Sequence, residues 1–336
     1  MRQGAIRVGS DRMGTGSCGE MDTGFSVDVQ YYRLSPELQP YFTALYLFNI
    51  TCPAGEDIED WLHPEWAAMR FTTSGLPPAG GVGEDALMRR GPFVVTGPTS
   101  KALHFSLTTS CIWGLGLQPA GWAQFVAGPA SEFSDTTFDG LEAAAFAVFA
   151  PILPMVRDSQ VPPDRVAEMI NTYLMGQVGR RKSRVELIVR VHDALRDPEV
   201  AHVVELGKRA GIGLRSLERI CLRYFGFPPK LLLRRQRFLR SLARYTLDPR
   251  RNWSEALDGQ YHDQAQFVRD FRSFMGMTPT EYSEHPHPVL NRIMAQRMAD
   301  LGAAPQTDLP TVLRYGAEAE DEDEEPELRR RGGRGG

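Results

Sequence analysis

A chain of 336 residues with a formal net charge of -4 is long enough to build two ordinary hydrophobic cores. Its four cysteines, Cys18, Cys52, Cys111 and Cys221, show no C-x-x-C spacing, which excludes a disulfide scaffold and points to reduced thiols in a cytoplasmic protein. No stretch has the length and apolarity of a signal peptide or a membrane span, so no membrane partner is expected.

Residues 1–24 are rich in Gly, Ser and charge and read as a disordered arm. From Phe25 the texture changes. The short runs 41–50, 67–71, 92–96, 102–107 and 111–117 are partly β-branched or aromatic, with Gly, Pro and Ser clusters between them. That spacing predicts a small antiparallel sheet or barrel within a domain spanning residues 25–178. Asp139-Gly-Leu-Glu142 has the form of an N-cap with a capping-box Glu. Leu141, Ala144, Ala145, Val148, Phe149 and Ile152 follow at helical spacing. A second helix is expected after Pro162-Pro163, with Val166, Met169, Ile170, Tyr173 and Leu174 on one stripe. This helical pair either joins two copies of the chain or packs back onto the sheet.

Residues 176–182 form a polar, basic hinge that leads into a second domain, 179–297. Ser183-Arg-Val-Glu186 opens a helix with Val185, Ile188, Val189, His192 and Leu195 inward. Asp197-Pro198 is expected to start the next one, since Pro suits the first helical position, and Gly211 ends it. A helix then runs from Leu214 to about Phe225. Residues 229–245 follow as a rod of roughly 25 Å with an apolar face that includes Phe238, Leu239 and Leu242. A helix over 253–260, a turn at 261–263 with Asp263 as N-cap, and a helix to about Met275 complete the unit. A weak helix is expected after His285-Pro-His-Pro288. Residues 298–336, with an acidic cluster and a final Arg-Gly run, read as a disordered tail.

Within the second domain the chain repeats itself. Leu217-Glu-Arg219 falls on Phe267-Val-Arg269, and Gly226-Phe-Pro-Pro229 falls on Gly276-Met-Thr-Pro279. Each copy is a helix, a tight turn and a second helix bearing exposed polar residues, the arrangement that places a helix in the major groove of DNA. The charge agrees. Residues 180–297 carry 23 Lys+Arg against 13 Asp+Glu, a balance of +10, while the rest of the chain carries 15 against 29.

On the first such helix Arg215, Glu218, Arg219 and Leu222 share a face opposite Leu217 and Ile220. On the second, Gln264, Ala265, Gln266 and Arg269 lie opposite Phe267, Val268 and Phe271. Arg reads guanine bidentately, Gln suits adenine, and Glu accepts from cytosine. Lys208, Arg209, Arg223, Arg234, Arg235, Arg237 and Arg240, near helix ends or on the rod, are expected on phosphates.

Residues 211–219, 225–230, 261–271 and 276–282 (Gly-Ile-Gly-Leu-Arg-Ser-Leu-Glu-Arg, Phe-Gly-Phe-Pro-Pro-Lys, Tyr-His-Asp-Gln-Ala-Gln-Phe-Val-Arg-Asp-Phe and Gly-Met-Thr-Pro-Thr-Glu-Tyr) resemble the DNA-binding domain of the AraC/XylS family. The resemblance covers about residues 183–284. It implies an α+β multidomain protein, with an N-terminal β-rich sensor or dimerisation domain and an all-α C-terminal domain holding two helix-turn-helix units. It also implies double-stranded DNA and RNA polymerase as partners, a small-molecule effector, a homodimer, and transcriptional activation more often than repression. Carried onto matching positions, the family's base-reading sites fall on Arg215, Glu218, Arg219, Gln264, Ala265, Gln266 and Arg269. Three departures stand out: Gly213 replaces a capping Ser, Cys221 a core aromatic, and Gln260 a turn Gly. The last would ask a non-Gly residue to take a strained turn. Residues 93–141 are similar to the sensor half of some members, which implies a barrel related to cupins.

Enzyme chemistry finds little support. His63 and His104 lie in the barrel region without a His-x-His pattern, and His285-Pro-His287 reads as a loop. The Gly-rich stretch 77–83 neither follows a clear strand nor opens a helix, as a phosphate cradle requires. No Gly-x-Ser-x-Gly elbow, cofactor motif or metal-ligand pattern occurs. Two alternatives stay open: a cupin-type metal-dependent enzyme fused to a DNA-binding module, and a regulator whose N-terminal half serves only protein contacts.

Overall fold

The apolar runs of the N-terminal half pair into two antiparallel sheets in the computed structural model, which describes residues 24–180, 184–247 and 253–299. The strands are β1 (Ser26–Tyr32), β2 (Phe42–Thr51), β3 (Ile58–Leu62), β4 (Ala67–Gly75), β5 (Ala79–Val82), β6 (Met88–Arg89), β7 (Phe93–Thr96), β8 (Leu103–Leu107), β9 (Ser110–Leu117) and β10 (Thr137–Asp139). The large sheet has the order β1-β2-β9-β4-β7-β10, and the small one β3-β8-β5-β6.

Register decides what each face carries. Leu47 pairs with Trp113, and Trp113 in turn with Phe71, so bulky side chains stack across β2, β9 and β4 on one face. That face packs on helices. The opposite face, with Phe48, Arg70, Val94 and Ile112, looks toward the small sheet. Burial on both faces explains why these strands read as continuous apolar runs rather than alternating ones. Gly114 serves the tight inner face: a Cβ there would come within 2.0 Å of the Tyr46 ring.

The helices that cover the large sheet are α1 (Pro119–Phe125), α2 (Ile152–Arg157) and α3 (Pro163–Met175). Ile152, Val156, Val166, Ile170 and Leu174 join Leu45, Met69, Phe71, Phe93 and Trp113 in one core. The helical pair therefore packs back onto the sheet. Its first member differs from expectation. Asp139 ends a strand, its Oδ1 accepts from the Leu141 amide at 2.9 Å, and Ala144–Phe149 winds as a 3-10 helix before α2. The Asx turn has taken the carboxylate that a cap would need.

The second half is helical: α4 (Val185–Arg196), α5 (Val203–Ala210), α6 (Leu214–Ile220) running into a π-helical turn (Cys221–Phe225), α7 (Pro229–Leu247), α8 (Trp253–Ala256), α9 (Gln264–Met275), α10 (Pro279–Glu284) and α11 (Pro288–Ala299). Helix α5 starts later than Asp197-Pro198 suggests. Asp197 Oδ1 takes the Glu199 amide in a turn, and Glu205 then accepts from the His202 amide at the true helix start. Helix α8 stops at Ala256 rather than 260.

Gln260 also departs from expectation. Among the described residues Asp135 alone combines a side chain with positive φ, so Gln260 is unstrained. Its amide donates to Asp258 Oδ1 and its side-chain oxygen accepts from Arg240. A side-chain turn here does what glycine would do by conformation.

The two halves share their cores. Trp66, Ala120 and Ala123 pack with Ile188, Leu217 and Phe225, while Ala102 packs with Phe238, Phe267 and Phe274. The N-terminal arm up to residue 23, hinge residues 181–183 and the acidic tail from 300 onward lie outside the described residues. No helix among those described is long and apolar enough to cross a membrane.

Candidate nucleic-acid interface and sensor cavity

The first helix-turn-helix unit is α5, the turn 211–213 and α6. Leu217 and Ile220 are buried, and Arg215, Glu218, Arg219 and Arg223 are exposed on the other side. The second unit is α8, the turn around 261–263 and α9. Asp263 caps α9, accepting from the Gln266 amide, and Gln266 Oε1 accepts from the His262 amide at 3.2 Å. Gln264, Ala265 and Arg269 are exposed, while Gln266 is half-buried and spends its oxygen on the His262 amide. Phe267 and Phe271 are fully buried, as expected, but Val268 is only partly so; Asp270 and Phe274 complete the inward face.

The repeat is visible in three dimensions. Gly226 and Gly276 both stand at positive φ, +87° and +74°, nine residues after the buried Leu217 and Phe267. Each ends the second helix of its unit in the left-handed cap that glycine adopts without strain.

Arg215, Glu218, Arg219 and Arg223 line one cleft of about 520 Å³, together with Leu222. Pro129 and Ser131 of the N-terminal half form its other side. The exposed polar face of α6 is thus open but flanked by the N-terminal half.

Two of the rod arginines, Arg235 and Arg240, are too buried to be the phosphate contacts expected of them. Arg235 is 1% exposed, lies 3.8 Å over the Trp66 ring and donates to the Thr99 carbonyl at 2.8 Å. It locks α7 to the N-terminal domain. Arg240 is buried against Asp258 at 2.6 Å. Arg234 and Arg237 converge on buried Asp270 of α9 at 2.6 and 2.9 Å, and Tyr261 donates to the same carboxylate. These ion pairs set α9 on the rod. One cue was present in the sequence: 235, 238, 239 and 242 form a single helical stripe, and Arg235 stands in line with its apolar members. Lys208 remains exposed, and Arg209 pairs with Asp197 at 2.7 Å.

A second candidate site lies between the two sheets. A cavity of about 70 Å³ is walled by apolar side chains such as Phe48, Phe105 and Ile112, with Arg70 and Arg90 as its charged groups. Arg70 is buried, bonded to Thr96 Oγ1 and Glu65 Oε1, both at 3.1 Å. Arg90 Nε is buried without a partner among the described residues. Sequence reasoning missed this site, although a lone Arg inside the apolar run Ala67-Ala-Met-Arg-Phe71 was a signal.

The histidines are engaged elsewhere. His63 meets Tyr282 Oη at 2.9 Å, His104 meets Glu59 at 3.0 Å, and His287 meets Asp60 at 2.9 Å. No group of three or more His, Cys, Asp or Glu among the described residues is placed to hold a metal ion.

A helix-turn-helix domain family matches residues 206–285. No curated protein shows significant sequence similarity to the chain. Among solved structures, ToxT from Vibrio cholerae is similar at 10% identity, covering 77% of this chain and 98% of that one with a TM-score of 0.40. ToxT bound to (E)-4-(8-methylnaphthalen-1-yl)but-3-enoic acid is similar at 12% identity over 77% and 98%, with a TM-score of 0.38. The AraC-like transcriptional activator CuxR is similar at 13% identity, covering 65% of this chain and 87% of its own, with a TM-score of 0.26. Residues 206–285, which hold α6, the rod and α9, are thus the part of the chain that matches a helix-turn-helix domain.

Proposed function

We propose that the chain is a sequence-specific transcriptional regulator whose helices α6 and α9 read adjacent major-groove segments. The observation that carries this reading is the pair of exposed polar faces set on one rod, α9 by ion pairs to Asp270 and α6 by the apolar cluster of Leu217, Ile220 and Leu232. A rod of 19 residues spans about 28 Å, close to the ~34 Å advance of one DNA turn. Residues 179–297 form the DNA-binding unit in this reading and 25–178 the sensor. RNA polymerase would be met by the regulator on promoter DNA, and a second copy would extend the site read.

The test is selection of bound sequences from random duplexes by the full chain, followed by Arg219→Ala and Arg269→Ala. Each should cost about 1–3 kcal/mol on the selected site and relax preference at a few base pairs. The two affected segments should lie about 10 base pairs apart. Unchanged preference in both variants would refute the placement of the reading helices. Loss at Arg269 alone would assign reading to the second unit only.

The cavity supports an effector of stated chemistry. Apolar walls with the Arg90 guanidinium, since Arg70 is already paired with Glu65, suit a molecule with an apolar body and one acidic group. Such a ligand, bound to the native state only, raises stability by about 2.7 kcal/mol at a hundred times its Kd. A thermal-shift series of straight-chain carboxylates against the matching alcohols tests this, and equal shifts would remove the acid requirement.

A further inference from the structure

The helix that follows the second reader is part of the wall of the sensor cavity. Helix α11 packs on β1 and β3, and its Val289 and Ile293 line the cavity. Its first turn is capped from another domain. Asp60 of β3, fully buried, accepts the Val289 and Leu290 amides through Oδ2 at 3.0 and 2.8 Å. Its Oδ1 faces His287 Nδ1 at 2.9 Å. A carboxylate receiving the first free amides of a helix is the ordinary N-cap interaction, here supplied across the fold. The second reader is tied at the same seam: His63 meets Tyr282, and the Ala102 amide donates to the Phe274 carbonyl at 2.6 Å.

The cavity of about 70 Å³ is under half of the ~150 Å³ that holds a benzene in an engineered apolar site. An occupant larger than that fits if it projects from the cavity's open side or if a wall moves. Strands β2, β4, β8 and β9 are paired on both sides and cannot yield without breaking ladders. Helix α11 is held by one cap and by side-chain packing. We infer that α11 is the moving wall, a lid whose lifting by a cavity ligand loosens the second reader from the sensor domain. This rests on the effector reading above. The ligand-bound state then binds DNA more tightly, because α9 is free to settle in the groove.

Two variants test the lid without a ligand: Asp60→Ala, and a chain ended after His285. In Asp60→Ala, amides of 289–299 should exchange with deuterium about tenfold faster, while those of β4 and β9 keep their protection. Affinity for the selected duplex should rise at least about fivefold in both variants. Unchanged exchange in Asp60→Ala overturns the cap, and faster exchange without an affinity change in either variant overturns the coupling. Dodecanoate, the probe for the native chain, should accelerate exchange at 289–299 in the same way. Dodecanoate that raises thermal stability but leaves 289–299 untouched overturns the lid and spares the effector site. Failure of dodecanoate to bind overturns the acid class, while the two variants still decide the lid. Failure to select any duplex overturns the DNA-reading proposal, and the exchange arm still reads the cap.

Discussion

Arg240 and Asp258 form a deeply buried ion pair of the helical half, both side chains 3% exposed. Burial by itself raises the Asp258 pKa, but hydrogen bonds and charge from Arg240 outweigh it, so the carboxyl sits below the ordinary 3.8. A folded pKa under the unfolded one means the pair stabilises the fold fully above pH 3.8. That contribution is lost as pH falls through the lowered value. Asp258→Ala should cost about 3–5 kcal/mol in denaturant unfolding, because Arg240 is left buried and uncompensated. The variant should also lose part of the native chain's acid sensitivity below pH 4. Cys221 illustrates the converse. Burial, with Glu218 nearby, pushes its thiol up to about 12, so it stays protonated at neutral pH. Iodoacetamide at pH 8 should leave Cys221 unmodified in the native chain and label it after unfolding, as mass spectrometry of the peptides would show.

At the scale of elements, the two reading helices end alike but sit in different surroundings. Gly276 has open space around the position of a Cβ, whereas at Gly226 a Cβ would lie 2.3 Å from Ser134 Oγ and 3.1 Å from Pro98. Ser134 Oγ also donates to the Gly226 carbonyl, which fastens the end of the first helix-turn-helix unit to the N-terminal half. Gly276→Ala should therefore cost about 1–2 kcal/mol, the left-handed penalty alone. Gly226→Ala should cost more, since the substitution adds a clash at the seam. Thermal unfolding of the two variants side by side checks the order, and equal costs would mean that the seam at Ser134 yields freely.

For the molecule as a whole, the question is whether the readers stand alone. Their cores take in Trp66, Ala102, Ala120 and Ala123, and Arg235 is sealed under Trp66. A fragment of residues 184–299 loses that cover but keeps the buried Phe238, Phe267, Phe271 and Phe274 cluster. It should unfold cooperatively by circular dichroism, at a lower midpoint than the full chain, and Arg235, solvated in the fragment, costs it nothing there. An unfolded fragment would show that the sensor domain completes the reader fold.

Much of this was legible in residues 183–284. Periodicity, caps and terminating glycines are local signals, and they sufficed to place the helices, the repeat and the outward faces bearing Arg219 and Arg269. The strand-rich character of the N-terminal half was equally readable from its apolar runs. Tertiary structure decided what local signals cannot carry. An arginine on a helix looks the same in sequence whether it meets phosphate or carboxylate. The partners of Arg234, Arg235, Arg237 and Arg240 come from residues 18 to 170 positions away, and only the fold brings them near. Asp139 and Asp197 lost their capping roles to turns because a short Asp side chain can satisfy either, and packing chooses. The cavity left only the lone Arg70 of its apolar run as a local trace, and the capping of α11 by Asp60 across more than two hundred residues left none. A buried carboxylate and an unpaired helix start become one interaction only when two domains close on each other.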